Sequence, residues 1–296
     1  MSFIEFARTH GVLIDPAKLA PSDRIRRTGT HSKPRSDNGA YYWDGQRGWV
    51  MDWSTGGKPT WWNDSTAKPW TDSEKRVWIE RRRAKAADQE ASYVRVALEA
   101  DKALNAAQIT NHEYLTYKGF KHEVGFVDGR KLMIPMRNLQ THNLQGFQTI
   151  CWNPEEKVYA KKMLTGMRAK HAVFTFGTRG KETWLVEGYA TGLSLRAALR
   201  QSRIPACVIV CFSAHNLITV AKSLWNSQDI ADFSSRVYVF ADNDKSQTGE
   251  KAAVETGFPW TMADEEGWDA NDLHQKKGLF PLVQKLISLR HEYIVP

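Results

Sequence analysis

The sequence predicts an α/β protein whose C-terminal third contains a parallel sheet. Three apolar runs have the length and composition of buried strands, at 184–187, 207–212 and 237–241. Segments typical of helices alternate with these runs, at about 192–202, 216–226 and 249–256. Because strands that alternate with helices form parallel sheets with helices on their faces, we expect this architecture from residue 181 onward.

The length of 296 residues is enough for two or three domains, and changes in composition indicate four segments. Residues 1–70 are predicted to form a small Trp-rich β module, residues 71–109 a basic linker helix, residues 110–180 a basic α/β subdomain, and residues 181–296 the parallel-sheet domain. No apolar run approaches the about 18 residues that span a membrane, and no signal peptide follows Met1. We therefore expect a cytoplasmic protein without membrane contact.

The N-terminal segment is rich in tryptophan. Seven of the 12 tryptophans lie between Trp43 and Trp78. Turn residues such as Asp44 and Gly45 separate the aromatic stretches, which predicts a β-meander. Two roles stay open for these tryptophans: the core of a small module, or stacking on the bases of a single nucleic-acid strand. No cysteine precedes Cys151 and no Cys-x-x-Cys pair occurs, so we expect no zinc site.

The positive charge of the chain lies in its N-terminal part. Residues 181–296 carry 12 Lys and Arg against 14 Asp and Glu, a net charge of −2, so the first 180 residues carry +10 because the whole chain carries +8. Residues 118–179 hold 11 basic and 4 acidic side chains. Arg81, Arg82 and Arg83 form a basic run that either binds phosphates or is a solvated helix face. A basic body joined to an acidic domain indicates a polyanionic partner.

Acidic residues end or directly follow two of the predicted strands. Glu187 ends the first run, Asp242 and Asp244 follow the third, and Asp269 and Asp272 come in a later cluster. The carboxyl ends of parallel strands meet at one edge of a sheet, so we expect these groups there together. Carboxylate oxygens are the ligands that Mg²⁺ and Mn²⁺ prefer. An Asp-x-Asp pair alone is more often a turn, and it is the ordered set of acids that indicates a metal site.

This order of motifs resembles the Toprim family, which bacterial-type primases, topoisomerases and some nucleases share. Its Glu-Gly motif corresponds to Glu187 and Gly188, its Asp-x-Asp motif to residues 242–244, and its third acidic motif to the segment 267–272. The residues that follow Glu187 look most like primases of phages and plasmids. The resemblance runs from residue 181 to the end and extends back to about Tyr117. Gly188 is expected to let the chain turn sharply after the strand.

Two positions depart from the pattern of replicative primases. Thr191 stands where those enzymes usually carry an acid, four residues after the glutamate. Asn271 takes the place of the second acid of the third motif, although Asp272 is adjacent. One metal site is therefore expected to be weaker or built differently.

The resemblance implies a DNA primase that synthesises short RNA primers on single-stranded DNA from NTPs. It implies a two-metal site for Mg²⁺ or Mn²⁺, with Glu187 either joining the ligands or taking the 3′-hydroxyl proton; the other ligands would be Asp242, Asp244, Asp269 and Asp272. It also implies that basic side chains hold template or nucleotide phosphates, namely Arg137, Lys161, Lys162 and Lys245. No Walker A motif occurs, so we expect a separate replicative helicase.

Two other functions stay open at this point. A Toprim nuclease would use the same metals with water as the nucleophile. A non-catalytic accessory protein that binds single-stranded DNA would carry a degenerate site, which the departures at Thr191 and Asn271 allow. The intact acids Glu187, Asp242 and Asp244 favour an enzyme.

Overall fold

The structure is a computed structural model that describes residues 1–53, 58–67, 71–177, 182–226 and 236–293, apart from the side chains of residues 74, 75 and 78. These residues divide into two compact units, Met1–Arg83 and Ala84–Pro296. In the ranges described, no helix is long and apolar enough to cross a membrane.

The N-terminal unit is a four-stranded antiparallel sheet with one face covered by a short helix. The strands are neighbours in chain order, and the helix begins at a capping box formed by Ser2 and Glu5. Phe3, Tyr41 and Trp62 belong to the small core between them, so the predicted β-meander is confirmed. The elements are α1 (Phe3–Thr9), a 3₁₀ turn (Pro16–Lys18), β1 (Ser22–Thr28), β2 (Gly39–Trp43), β3 (Arg47–Asp52) and β4 (Thr60–Asn63).

The predicted basic helix is helix α2, Asp72–Ala106. Its residues 71–90 are exposed wherever their side chains are described, which includes Arg81, Arg82 and Arg83. Further along, Ala100 and Leu104 are buried in one cluster with Met133 and Phe147. Packing therefore fixes the C-terminal part of this helix, while its basic part is exposed, as either of its two predicted roles requires.

The second unit contains one ten-stranded sheet in the order β14-β13-β11-β12-β10-β7-β6-β5, with β8 and β9 branching from β7. Its antiparallel strands are β5 (Gln108–Thr110), β6 (Gly125–Asp128), β7 (Lys131–Asn138), β8 (Leu144–Asn153), β9 (Val158–Met163) and β10 (Ala172–Phe176). Its parallel strands are β11 (Glu182–Val186), β12 (Cys207–Val210), β13 (Arg236–Ala241) and β14 (Trp260–Met262).

Among the described residues, the pairing of β10 with β12 joins the basic segment 110–180 to the parallel strands. Strand β10 runs antiparallel to β12, with Phe174 opposite Val210 and Phe176 opposite Val208. On its other side, β10 pairs with β7. The segments 110–180 and 181–296, which were predicted as separate, thus contribute strands to the same sheet.

Helices cover both faces of the parallel strands, as predicted. Leu193, Leu273 and Leu286 pack with Val208 in one core cluster. Leu217 packs with Ile209, Cys207 and Cys211 in the other cluster. The helices are α3 (Glu113–Tyr117), α4 (Tyr189–Gln201), α5 (Ala214–Asn226), α6 (Thr248–Thr256), α7 (Ala270–Lys277) and α8 (Leu279–Glu292). Arg290 of α8 pairs with the buried Glu182 at 2.9 Å and so ties this helix to the start of β11.

Candidate functional site

The predicted acidic edge exists at the carboxyl ends of two neighbouring parallel strands. Strands β11 and β13 are in register, with Val186 opposite Phe240. Glu187 follows one strand directly and Asp242 follows the other after Ala241. Both residues are partly exposed, although Oδ1 of Asp242 is buried, so a ligand has access to this edge of the sheet.

Asn243 brings the third acidic segment to this edge. Its side-chain amide donates a hydrogen bond to the carbonyl oxygen of Ala263 at 3.0 Å, and its backbone N–H donates to the carbonyl oxygen of Trp268 at 3.1 Å. The loop that precedes α7 is thereby fixed beside the end of β13. Asp269 caps α7 in a capping box with Asp272, whose backbone N–H donates to Asp269 Oδ1 at 2.8 Å.

The charges of these groups are strongly coupled at Asp242. Burial, and after it the nearby carboxylates of Asp269 and Glu187, raise the pKa of Asp242 to about 8, although Lys161 lowers it. Oδ1 of Asp242 is buried and accepts no hydrogen bond from any described residue. A buried carboxylate oxygen without a donor is costly, and a bound cation would satisfy it.

The pKa of Glu187 is shifted in the same direction as that of Asp242. Burial raises its pKa, Lys161 lowers it, and Asp244 raises it. Lys161 lies on β9 of the basic segment, so the ammonium group that balances both acids comes from the other half of the sheet. Its neighbour Lys162 is exposed and points to the opposite face of the strand, because side chains alternate along a strand.

Asp244 plays a different part from Asp242. Its Oδ1 accepts hydrogen bonds from the backbone N–H groups of Ser246 at 3.0 Å and Thr248 at 3.2 Å, and its Oδ2 accepts one from Gly249 at 2.8 Å. Burial opposes ionisation of Asp244, but these hydrogen bonds outweigh it and hold its pKa below the usual range. Asp244 therefore stabilises the turn that leads into α6.

Gly249 makes the close approach of this turn possible. A Cβ atom at this position would lie 2.2 Å from the backbone oxygen of Asp242, so a larger residue would push α6 away from the acidic edge. Gly188 was expected to let the chain turn sharply after the strand, but its backbone conformation does not require glycine. Its φ of −92° is open to any residue, and what a side chain there would meet is Thr191 Oγ1, at 3.1 Å from the added Cβ.

The two departures from the primase pattern occupy structural positions. Thr191 is fully buried, and its hydroxyl donates to Asp269 Oδ2 at 3.2 Å. Asn271 is also fully buried, and its amide donates to the carbonyl oxygen of Lys118 at 2.9 Å and to Ser194 Oγ at 3.1 Å. Asn271 thus connects α7 to the core and takes no position at the acidic edge.

The donor set fits a divalent cation that keeps room for other ligands. Within the described ranges, no three His, Cys, Asp or Glu side chains form a ready-made metal cage. Mg²⁺ is usually held by one or two carboxylates together with substrate phosphates and water. The unpartnered Asp242 Oδ1 and the raised pKa values of Asp242 and Glu187 are consistent with such an open site.

The other predicted basic residues have different surroundings. Lys245 is exposed and lies 4.0 Å from Glu266. Arg137 lines a cavity of about 470 Å³ together with Cys207 and Ile209 of β12. Arg81, Arg82 and Arg83 are in the N-terminal unit. Their expected contacts with phosphates, like that of Arg137, stay predictions.

Tyr114 is a residue of this site that the sequence did not single out. Its hydroxyl is buried and has no hydrogen-bond partner among the described residues. Burial raises the pKa of Tyr114 and the nearby Asp269 raises it further. Its ring contacts that of Tyr159 edge-on at 5.1 Å. No sequence signal connects Tyr114 with an acid more than 150 residues away, since only the folded sheet brings them together.

Comparison with known proteins identifies the domain that carries the acids. Residues 182–279 match the family described as Toprim domain. The second unit therefore contains a Toprim domain, as its motifs predicted, and this domain includes every predicted acidic ligand.

Other comparisons are more distant. No curated protein matches the chain. A chain in the structure of bacteriophage T7 lagging-strand DNA polymerase, interacting with primase domains of two gp4 subunits bound to an RNA/DNA hybrid and dTTP, is similar over 63% of this chain and 88% of that chain. The identity is 18% and the TM-score 0.39, which is too low to support an argument about fold or activity.

Proposed function

We propose that this chain is a DNA primase, which synthesises short RNA primers on single-stranded DNA by metal-dependent nucleotidyl transfer. The observation that carries the proposal is the acidic edge of the Toprim domain, where Lys161 of the basic segment lies close enough to lower the pKa of both Glu187 and Asp242. Acids that can hold a metal and a lysine that can contact a phosphate thus meet at one edge of one sheet.

Asp242 and Asp269 are the groups that would hold Mg²⁺ or Mn²⁺, with Asp244 and Asp272 completing the set where two ions bind. When bound, the metal supplies Lewis-acid stabilisation of the charge that develops on the triphosphate. Glu187 would accept the proton of the attacking 3′-hydroxyl, because its raised pKa suits a general base better than that of an ordinary carboxylate. Lys161 would contact a phosphate as a compact point charge.

The remaining basic residues would position the template and the nucleotides. Lys162, Lys245, Arg137 and the run 81–83 would contact phosphates, which sets the register of a strand without reading its sequence. The partners are single-stranded DNA, NTPs and a separate replicative helicase. We propose no membrane partner.

A non-catalytic role is the second candidate. Thr191 and Asn271 stand where acids are usual, and both are engaged in buried hydrogen bonds. A protein with such a site could bind single-stranded DNA as an accessory factor of replication. Asp242 favours the enzyme instead, since a degenerate site would have no reason to keep a buried carboxylate oxygen without a donor.

Incubation with circular single-stranded DNA, labelled NTPs and either Mg²⁺ or Mn²⁺ tests these functions together. A primase gives short labelled oligonucleotides that require the template and the metal. A nuclease gives shortened DNA and no labelled product, and an accessory protein binds the DNA and gives neither. Asp242→Ala is the matched control, because it removes the central carboxylate and leaves the basic segment intact.

A further inference from the structure

The tryptophans of the N-terminal sheet divide between its two faces. Adjacent residues of a strand point to opposite faces. Trp62 points inward, is 8% exposed and contacts Phe3 at a ring-centroid distance of 5.4 Å. Its neighbour Trp61 points outward and is 62% exposed. Trp62 therefore belongs to the core, together with Trp43, which stacks on Phe3 at 6.0 Å, and Trp61 lies on the surface.

Three aromatic side chains form a row across this outer face. Tyr42 of β2 pairs with Trp49 of β3, and Trp49 pairs with Trp61 of β4. Directly paired residues lie on the same face with Cβ atoms about 5 Å apart, so the three rings lie side by side over roughly 10 Å. Tyr42 and Trp49 are partly exposed. We call Tyr42, Trp49 and Trp61 the outer aromatic row.

The same face carries the cationic side chain of Arg27, while burial and the acids Asp44 and Asp23 raise the pKa of Tyr42. Arg27 pairs with Ala40, and Ala40 pairs with Met51, two residues before Trp53. The guanidinium of Arg27 lies 4.8 Å from the centre of the Trp53 ring, and Trp53 is 49% exposed. The unit Met1–Arg83 carries 15 Lys and Arg against 10 Asp and Glu, a net charge of +5. Its partner is therefore expected to be anionic.

We propose that the outer aromatic row binds single-stranded nucleic acid by stacking against its bases, with Arg27 contacting the phosphates. Every base has a π-face, so a row of rings beside cationic groups suits a single strand of any sequence. A duplex keeps its bases stacked on one another and offers no free face to the row. The inference extends the proposed function, because a primase needs a single-stranded template, but binding by this face needs no catalysis.

The test is equilibrium binding of the full chain to labelled single-stranded DNA, single-stranded RNA and duplex DNA, followed by fluorescence anisotropy. Trp61→Ala and Trp49→Ala should each weaken single-strand binding by about fivefold or more, the scale of one lost base–aromatic stack. Trp61→Phe should retain most of the affinity, because it keeps a ring. Phe280→Ala is the matched control, since Phe280 is an aromatic residue of the other unit that is 64% exposed.

Salt dependence separates stacking from charge. Trp61→Ala should leave the slope of log affinity against log salt unchanged, whereas Arg27→Gln should reduce it by about 0.7, the value for one phosphate contact on a single strand. In a second measurement, single-stranded DNA should quench the tryptophan emission of the wild type more than that of Trp61→Phe.

Unchanged affinity for both alanine variants, at a wild-type melting temperature, would overturn the proposal and leave this face to a protein partner. An equal loss of duplex binding would overturn it as well. Asp242→Ala should bind single strands as the wild type does, so a failure of the proposed catalysis would be seen separately. The DNA and RNA arms show which strand this face prefers.

Discussion

The hydroxyl of Thr191 donates a hydrogen bond to Oδ2 of Asp269 across 3.2 Å, from the first turn of α4 to the N-cap of α7. This contact joins the helix that follows Glu187 to the third acidic segment. An acid at position 191 would add a further negative charge beside Asp269. A neutral donor instead stabilises the carboxylate of Asp269, whose charge already raises the pKa of Asp242.

Thr191→Asp should therefore make the fold depend on a divalent cation. In EDTA the carboxylate introduced at position 191 would be buried and would face the carboxylate of Asp269. The free energy of unfolding should then fall by about 3 kcal/mol, the scale for an uncompensated buried charge. Mg²⁺ should restore more stability to this variant than it adds to the wild type, because an ion that binds only the folded state stabilises it. Thr191→Asn is the neutral control. Equal responses to Mg²⁺ in urea titrations would contradict a metal site beside Asp269.

Asn271→Asp should destabilise the protein without creating a metal ligand. The substitution removes the amide group that donates hydrogen bonds to the carbonyl oxygen of Lys118 and to Ser194 Oγ, and it places a carboxylate in the core. A loss of about 3 kcal/mol is expected in urea unfolding. Asp272→Asn changes the charge at the next position, in the capping box, and should cost no more than about 1 kcal/mol. Near-native stability of Asn271→Asp with tighter Mn²⁺ binding would show that position 271 reaches the site.

Without divalent ions, Asp242 should make stability decrease as the pH rises. Its pKa is about 8 in the folded protein, against 3.8 ordinarily. Between these values the folded chain holds a proton that the unfolded chain has released, so the free energy of unfolding falls with increasing pH. Asp242→Asn removes this effect. Its free energy of unfolding should therefore increase relative to that of the wild type by on the order of 1 kcal/mol for each pH unit in this window.

The measurement is chemical unfolding in EDTA at several pH values between about 5 and 8. Asp128→Asn is the control, because Asp128 is exposed. A constant difference between Asp242→Asn and the wild type across this range would contradict the account of Asp242.

Substitutions of the neighbouring residues Lys161 and Lys162 should differ sharply in their effect on primer synthesis. Lys161→Gln removes the charge that lowers the pKa of Glu187 and Asp242, so both acids should hold their protons to higher pH and the rate of primer synthesis should fall by about tenfold or more. Lys162→Gln alters the opposite face of β9 and should change single-strand binding only slightly. Equal losses of synthesis in the two variants would mean that Lys161 has no special relationship with the acids.

The sequence was sufficient to predict the acidic edge. The runs that became β11 and β13 are apolar and end at acids, and the rule for parallel strands brings Glu187 and Asp242 to one edge. The pairing of β10 with β12 could not be predicted in this way, because no periodicity records which strands become neighbours. The shared sheet, and with it the position of Lys161 near the acids, therefore emerged only from the structure.

The surroundings of individual side chains also could not be predicted from the sequence. Asp242 and Asp244 look equivalent in the sequence, yet Asp244 accepts hydrogen bonds from a turn and Asp242 has an unpartnered oxygen. Trp61 and Trp62 point to opposite faces of β4, which could be seen only once the bounds of this strand were known. Patterns specify which element forms, and packing decides what each side chain contacts.

The most direct test of the central claim is template-dependent primer synthesis by the wild type, Asp242→Ala and Glu187→Gln on the same single-stranded DNA. The wild type should produce short RNA oligonucleotides with Mg²⁺ or Mn²⁺, Asp242→Ala should produce none while it still binds the DNA, and Glu187→Gln should be slower by about 100-fold, as expected on loss of a general base. Synthesis by Asp242→Ala at the wild-type rate, or the absence of any product from a wild type that binds both DNA and metal, would contradict the claim that this acidic edge is a primase active site.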